Sequence, residues 1–97
     1  MSLNQSIASA VSTGTCKVGA KSSLDALRTG EAKLVIIATN CPQDEREDLE
    51  RFAKLGDIKI RIFEGTSWDL GETVGKPFMV TAVAVIKPGD SKILKMD

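Results

Sequence analysis

Apolar positions along the chain change period several times, and each change marks an element. Leu3, Ile7, Ala10 and Val11 recur at helical spacings, which predicts an amphipathic helix over residues 3–12, with Gly14 placed to end it. Residues 16–19 read as a short strand. A helix over Lys21–Thr29 follows, with Leu24 and Leu27 toward the core and Gly30 where a left-handed C-terminal glycine belongs. Leu34–Ala38, LVIIA, is an unbroken apolar run, the pattern of a strand covered on both faces. Thr39, Asn40, Cys41 and Pro42 make a turn. Gln43–Leu55 predicts a helix with Leu49, Phe52 and Ala53 on one face, stopped at Gly56.

Ile58, Ile60 and Ile62 alternate with Lys59 and Arg61, as in a half-buried strand near a sheet edge. Thr66 with Asp69 three residues later is a capping-box start for a helix through Val74. Trp68, beside that cap, is expected to pack. Val80–Ile86 is apolar and β-branched, residues 87–90 read as a turn, and Ile93–Lys95 as a short last strand. Strands alternating with helices predict an α/β fold: a three-layer α-β-α sandwich around a mixed sheet of about four strands, with a possible short edge strand. At 97 residues, the chain 1–97 is expected to form a single domain.

Composition narrows the chemistry. There is no histidine, which excludes a Ser-His-Asp triad, a Cys-His pair and a His-rich metal site. The two cysteines, Cys16 and Cys41, form no C-x-x-C pair and are too few for a four-ligand zinc site. They fit a reducing cytosol better than a disulfide. No apolar run reaches the roughly 18 residues of a membrane span, and residues 1–10 lack the basic and apolar regions of a signal peptide. No cofactor, metal or membrane partner is expected.

Three stretches offer recognition chemistry. Gly19-Ala20-Lys21-Ser22-Ser23 lies at a strand-to-helix junction, where unpaired N–H groups and a lysine suit a phosphate; the plain alternative is a turn with Ser22 or Ser23 as N-cap. Asn40 follows the central apolar strand, at the carboxyl end where α/β sheets gather ligands. Its amide is able to read a base edge, or to make an N-cap or Asx-turn before Pro42. Residues 75–80, Gly75-Lys76-Pro77-Phe78-Met79-Val80, form a loop entering a strand. Phe78 and Met79 there either meet a splayed base or begin the core. The acidic run from Asp44 to Glu50 is expected to be a solvated helix face. With no Walker A motif and no G-x-G-x-x-G, a small enzyme or nucleotide-binding domain is the least supported reading.

Taken together, CKVGAKSSLDALRTGEAKLVIIATNCP, FEGTSWDLGETVGKPF and VTAVAVIKPGDSKIL resemble the kink-turn RNA-binding superfamily of archaeal and eukaryotic ribosomal proteins. The resemblance covers nearly the whole chain and is strongest to large-subunit members. Relatives that nucleate RNA-modification particles usually carry Gly-Ala-Asn-Glu or a variant in the first loop; Gly19-Ala20-Lys21-Ser22 favours the ribosomal members, leaving such a particle as the alternative. The resemblance implies a non-catalytic structural constituent of the large subunit that grips a kink-turn or similar internal loop of ribosomal RNA. Its partners would be that RNA and neighbouring ribosomal components, in the cytoplasm, with the free protein a monomer. It implies that Gly19, Ala20, Lys21 and Ser22 approach the RNA backbone, that Asn40 contacts a guanine edge, and that Lys76, Phe78, Met79 and Val80 supply a last loop against an extruded base. Met79 replaces a polar or basic residue of some members.

Charge divides along the chain. Lys plus Arg equals Asp plus Glu, 13 each. Residues 15–33 and 74–97 are each net +2, however, and residues 34–73 net −4. The positive segments hold the first and last recognition loops. The acid concentrates on the Gln43–Leu55 helix, which is expected to face away from RNA.

Overall fold

The LVIIA run lies inside the sheet with every residue buried, and its neighbours explain why it does not alternate. In a computed structural model describing residues 3–89 and 93, four helices and four strands follow one another. They are α1 (Leu3–Thr13), β1 (Thr15–Val18), α2 (Ala20–Arg28), β2 (Leu34–Ala38), α3 (Gln43–Leu55), β3 (Lys59–Phe63), α4 (Ser67–Thr73) and β4 (Ala82–Lys87). The sheet order is β1-β4-β2-β3, with β4 antiparallel to both neighbours and β2 parallel to β3. The expected mixed sheet is therefore present.

Alternate residues of β2 and β4 feed two separate cores. Leu34, Ile36, Ala38, Val83 and Val85 pack with Ile7 and Ala10 of α1, with Leu70 of α4 and with Val74 at its end. Val35, Ile37, Ala82 and Ala84 pack with Ala26 and Leu27 of α2 and with Leu49 and Ala53 of α3. Valine on one face of β4 and alanine on the other lets α2 settle close to the strand. Burying each full-sized aliphatic side chain stabilises the fold by about 1.5–3 kcal/mol, so both layers are needed to hold a sheet this small.

β3 is an edge strand, as its alternation predicts. Ile58 and Ile60 pack on the α2–α3 side, while Phe63, one step out of that alternation, is 1% exposed in the other core. Ile62 shares the parity of Ile60 but is 39% exposed. Of the last strand expected over Ile93–Lys95, Ile93 alone is among the described residues; it sits in a 3-10 turn and fills the α1-side core. Asp90, Leu94 and Lys95 lie outside the described residues.

Several element ends depart from the pattern. The strand expected from Val80 begins at Ala82, because the Val80 N–H leaves the ladder to donate to the Ser67 carbonyl at 3.0 Å. After α3 the left-handed residue is Asp57, with φ 56°, one position past Gly56. The Thr66–Asp69 capping box is formed, with Thr66 N–H donating to Asp69 Oδ2 at 3.0 Å and Asp69 N–H to Thr66 Oγ1 at 3.4 Å.

Candidate nucleic-acid interface

Strand direction decides where the loops go. β1, β2 and β3 run the same way and β4 runs against them, so the carboxyl ends of three strands meet the start of the fourth at one edge of the sheet. That edge, the candidate reading edge, carries the α2 N-terminus, the turn at Thr39-Asn40, the α4 N-terminus and residues 78–81. Hydrogen bonds stitch the four together. Gly19 N–H donates to the Ala82 carbonyl at 2.7 Å, Ala38 N–H to Thr81 at 2.9 Å, Thr39 N–H to Gly65 at 3.1 Å and Val80 N–H to Ser67 at 3.0 Å. Residues as far apart in sequence as Gly19 and Ala82 thus share one preformed surface.

The first loop presents bare backbone. Gly19 is the N-cap of α2 at φ 105°, ψ 155°, a region only glycine enters without strain. A Cβ there would meet nothing within 4 Å, so the backbone angle is what requires glycine. No side chain caps α2, and its first internal bond runs from Ser23 N–H to the Gly19 carbonyl at 2.9 Å. The N–H groups of Ala20, Lys21 and Ser22 precede it without helical acceptors. Neither serine is the N-cap: Ser22 is exposed, and Ser23 is buried in the helix with no hydrogen-bond partner for its hydroxyl. Lys21 is exposed and makes no ion pair among the described residues.

Asn40 caps neither the helix that follows it nor its own turn. Its Oδ1 accepts from Ser67 N–H at 2.7 Å and its Nδ2 donates to Ser67 Oγ at 3.2 Å, reaching across to α4. The amide orientation follows from chemistry, because a backbone N–H only donates. One Oδ1 lone pair and one Nδ2 hydrogen remain for an outside partner. The side chain is therefore held in place before any ligand arrives.

The last loop splits into two parts. Phe78 and Met79 are 54% and 53% exposed, so Phe78 does not begin the core. Val80 does: its side chain is 1% exposed in the α1-side core, where it anchors the loop and offers no surface of its own. Lys76 is exposed, following Gly75 at φ 76°, with its N–H bound to the Gly71 carbonyl at 2.9 Å. Gly71, inside α4, is what lets this loop close. A Cβ on it would collide with the Phe78 carbonyl oxygen. Sequence reading missed Gly71 and Ser67. For Gly71 there was a signal, since glycine inside a helix costs about 1 kcal/mol against alanine and persists where packing demands it.

Two expectations need correction. Trp68 does not pack; it is 63% exposed on the first turn of α4. Nor does all of the acidic helix face away. The N-terminus of α3 opens at the reading edge, where Glu45 Oε1 accepts from Thr81 Oγ1 at 3.3 Å. Glu45 and Asp48 line a groove between α2 and α3 together with Lys21 and Leu24. The cause is connectivity: four residues separate the reading-edge end of β2 from the start of α3, so its acidic first turn cannot lie far from it. The charged side chains of the helix are solvated as expected, with Arg46–Glu50 and Arg51–Asp48 pairs at 2.9 and 2.8 Å that contribute little at the surface.

The two cysteines pack against the cores. Cys16 packs into the α1-side core and Cys41 into the α2–α3 core, on opposite faces of the sheet, and both are free thiols. Burial pushes the Cys16 thiol up to about 11. Cys41 is also raised, by burial first and then by the Glu45 carboxylate. Neither thiol is a ready nucleophile.

The family described as ribosomal protein L7Ae/L30e/S12e/Gadd45 matches residues 1–95. The large ribosomal subunit protein eL30 of Methanothermobacter thermautotrophicus is 45% identical over 96 residues, covering 99% of this chain and 98% of its own. The protein of the same name from Methanopyrus kandleri is 39% identical over 92 residues, 95% of this chain and 84% of that one. Among solved structures, a protein with unknown function from Bacillus halodurans C superposes with a TM-score of 0.81 over 98% of this chain and 95% of its own, at 20% identity, which speaks to fold alone.

Proposed function

This chain belongs to the ribosomal protein L7Ae/L30e/S12e/Gadd45 family, and from that premise we propose that its reading edge grips a kink-turn of ribosomal RNA. Full-length relatives carry the name large ribosomal subunit protein eL30, and the chain is accordingly an RNA-binding protein of the large subunit, at work on the cytoplasmic ribosome.

The observation that carries the finer reading is the convergence of Gly19 to Ser22, Asn40 and residues 78–79 on one hydrogen-bonded edge. Free N–H groups at the α2 start and the Lys21 ammonium suit phosphate oxygens on the inside of a bend. Asn40, already oriented by Ser67, offers a donor and an acceptor to a guanine edge. Phe78 and Met79 offer apolar surface to a base turned out of the stack, with Lys76 beside them for a phosphate.

A protein that fits only the kinked form draws the RNA toward it. The role is structural rather than catalytic, and the free protein is monomeric. Sedimentation tests this: the labelled protein travels with large subunits and is released by excess kink-turn RNA. Protein left at the top of the gradient overturns the proposal. Stronger competition by a box C/D kink-turn than by the ribosomal loop favours the modification-particle alternative.

A further inference from the structure

Of the large apolar side chains exposed among the described residues, three lie at the reading edge: Trp68, Phe78 and Met79. Trp68 is the most exposed of these, in a family-sized domain with little aromatic surface to spare, since the chain has one tryptophan, three phenylalanines and no tyrosine. Its direction follows from helix geometry. Ser67, Leu70, Gly71 and Val74 form the buried side of α4. Trp68 flanks it on the Gly71 side, three positions before that glycine and so on the same face.

Residues 78–80 run back along that flank. The Phe78 carbonyl stands against Gly71, and Val80 N–H bonds to the Ser67 carbonyl. Side chains on a helix tilt toward its N-terminus. The α4 N-terminus is at the reading edge, so the indole leans toward the side on which Asn40 and Phe78 stand. Asp69, Glu72 and Thr73 line a separate groove with Gln5 and Ala8 of α1, in which Trp68 takes no part.

We propose that Trp68 is a second aromatic platform of the RNA site, receiving an unpaired base next to the one that Phe78 and Met79 meet. The inference rests on the kink-turn reading and extends it to a residue on α4. An indole left in water gains most from a flat apolar partner, and unpaired bases are the flat partners RNA supplies. The platform is continuous with the proposed interface, and the Asn40–Ser67 bonds hold its base in place.

The test uses the full chain and a kink-turn RNA carrying a dye at one end. Dye anisotropy reports binding, and emission excited at the red edge of the absorption band reports Trp68 alone. The expected result is quenching that saturates at the RNA concentration where anisotropy saturates. W68A should bind about tenfold more weakly, within what loss of one stacked base costs, with an unchanged melting curve, and W68F should recover most of the affinity. Unmoved emission, or W68A affinity equal to wild type, while the kink-turn still binds, overturns the platform and leaves the kink-turn reading standing. Emission that moves instead on adding a large-subunit protein, and not RNA, also overturns it. Failure of wild type to bind the kink-turn at all removes both.

Discussion

Replacing Asn40 separates two jobs that one side chain holds. In Asn40→Ala the Ser67 N–H, on a residue 2% exposed, loses its 2.7 Å acceptor, and Ser67 Oγ loses its 3.2 Å donor. A buried N–H left without a partner costs about 1–3 kcal/mol. Taking about 2 kcal/mol, and about 4–8 °C per kcal/mol for a domain of this size, the melting temperature falls by roughly 10 °C. The urea midpoint falls by about 1 M. Asn40→Asp behaves differently. A carboxylate still accepts from Ser67 N–H at the positive end of α4, and the Ser67 hydroxyl turns to donate to the second oxygen. Its stability stays within about 0.5 kcal/mol of wild type, yet the amide donor is gone and a negative charge faces RNA. The assay is urea denaturation of all three proteins beside a titration with kink-turn RNA. The expected order is stability lost in the alanine variant alone and affinity lost in both. An alanine variant as stable as wild type refutes the anchoring role. An aspartate variant that binds RNA as tightly as wild type refutes the reading role.

Lys21→Ala should weaken kink-turn binding, lower the slope of log affinity against log salt by about 0.7–0.9, and leave thermal melting unchanged; an unaltered slope removes Lys21 from the phosphate contacts. Gly71→Ala gains about 1 kcal/mol of helix propensity yet drives a methyl into the Phe78 carbonyl. A net loss of about 1–3 kcal/mol is expected from the collision, with weaker RNA binding as residues 78–79 shift, and a stabilised variant would contradict the packing account. The Cys16 thiol ionises less readily folded, at about 11, than unfolded, near 9. Above pH 9 the unfolded chain therefore holds fewer protons than the folded one, and stability falls as pH rises from 9 to 11. Cys16→Val should flatten that fall in melting curves taken across the window, and an unchanged fall would assign it to other groups.

What the sequence told and what it hid divide along a physical line. Periodicity reports burial on either side of a strand, so LVIIA and the alternating isoleucines of β3 were legible. Capping is local, and Thr66 with Asp69 formed the box their spacing announces. The bond from Asn40 to Ser67 spans 27 positions, and no local pattern carries it. The same holds for Val80, whose apolar side chain reads like a binding residue in the loop and like a core residue in the strand; the Ser67 carbonyl pulls it inward. Charge by segment was legible and its placement was not. Counting acids finds α3, but only the strand directions bring its first turn to the reading edge, with Glu45 on Thr81 and facing the groove that Lys21 lines. That placement strengthens the case for recognition by shape, since carboxylates beside Lys21 cancel much of the attraction a bare lysine would exert on any RNA.

Shape recognition is the central claim, and one titration tests it most directly. The wild-type protein is titrated, at one fixed salt concentration, against a kink-turn RNA and against a straight duplex of the same length. Tight binding to the kink-turn, and binding to the duplex weaker by at least about three orders of magnitude, the lower end of the ~10³–10⁷ that separates specific from non-specific nucleic-acid binding, is the predicted result. Equal affinity for the two RNAs contradicts the account.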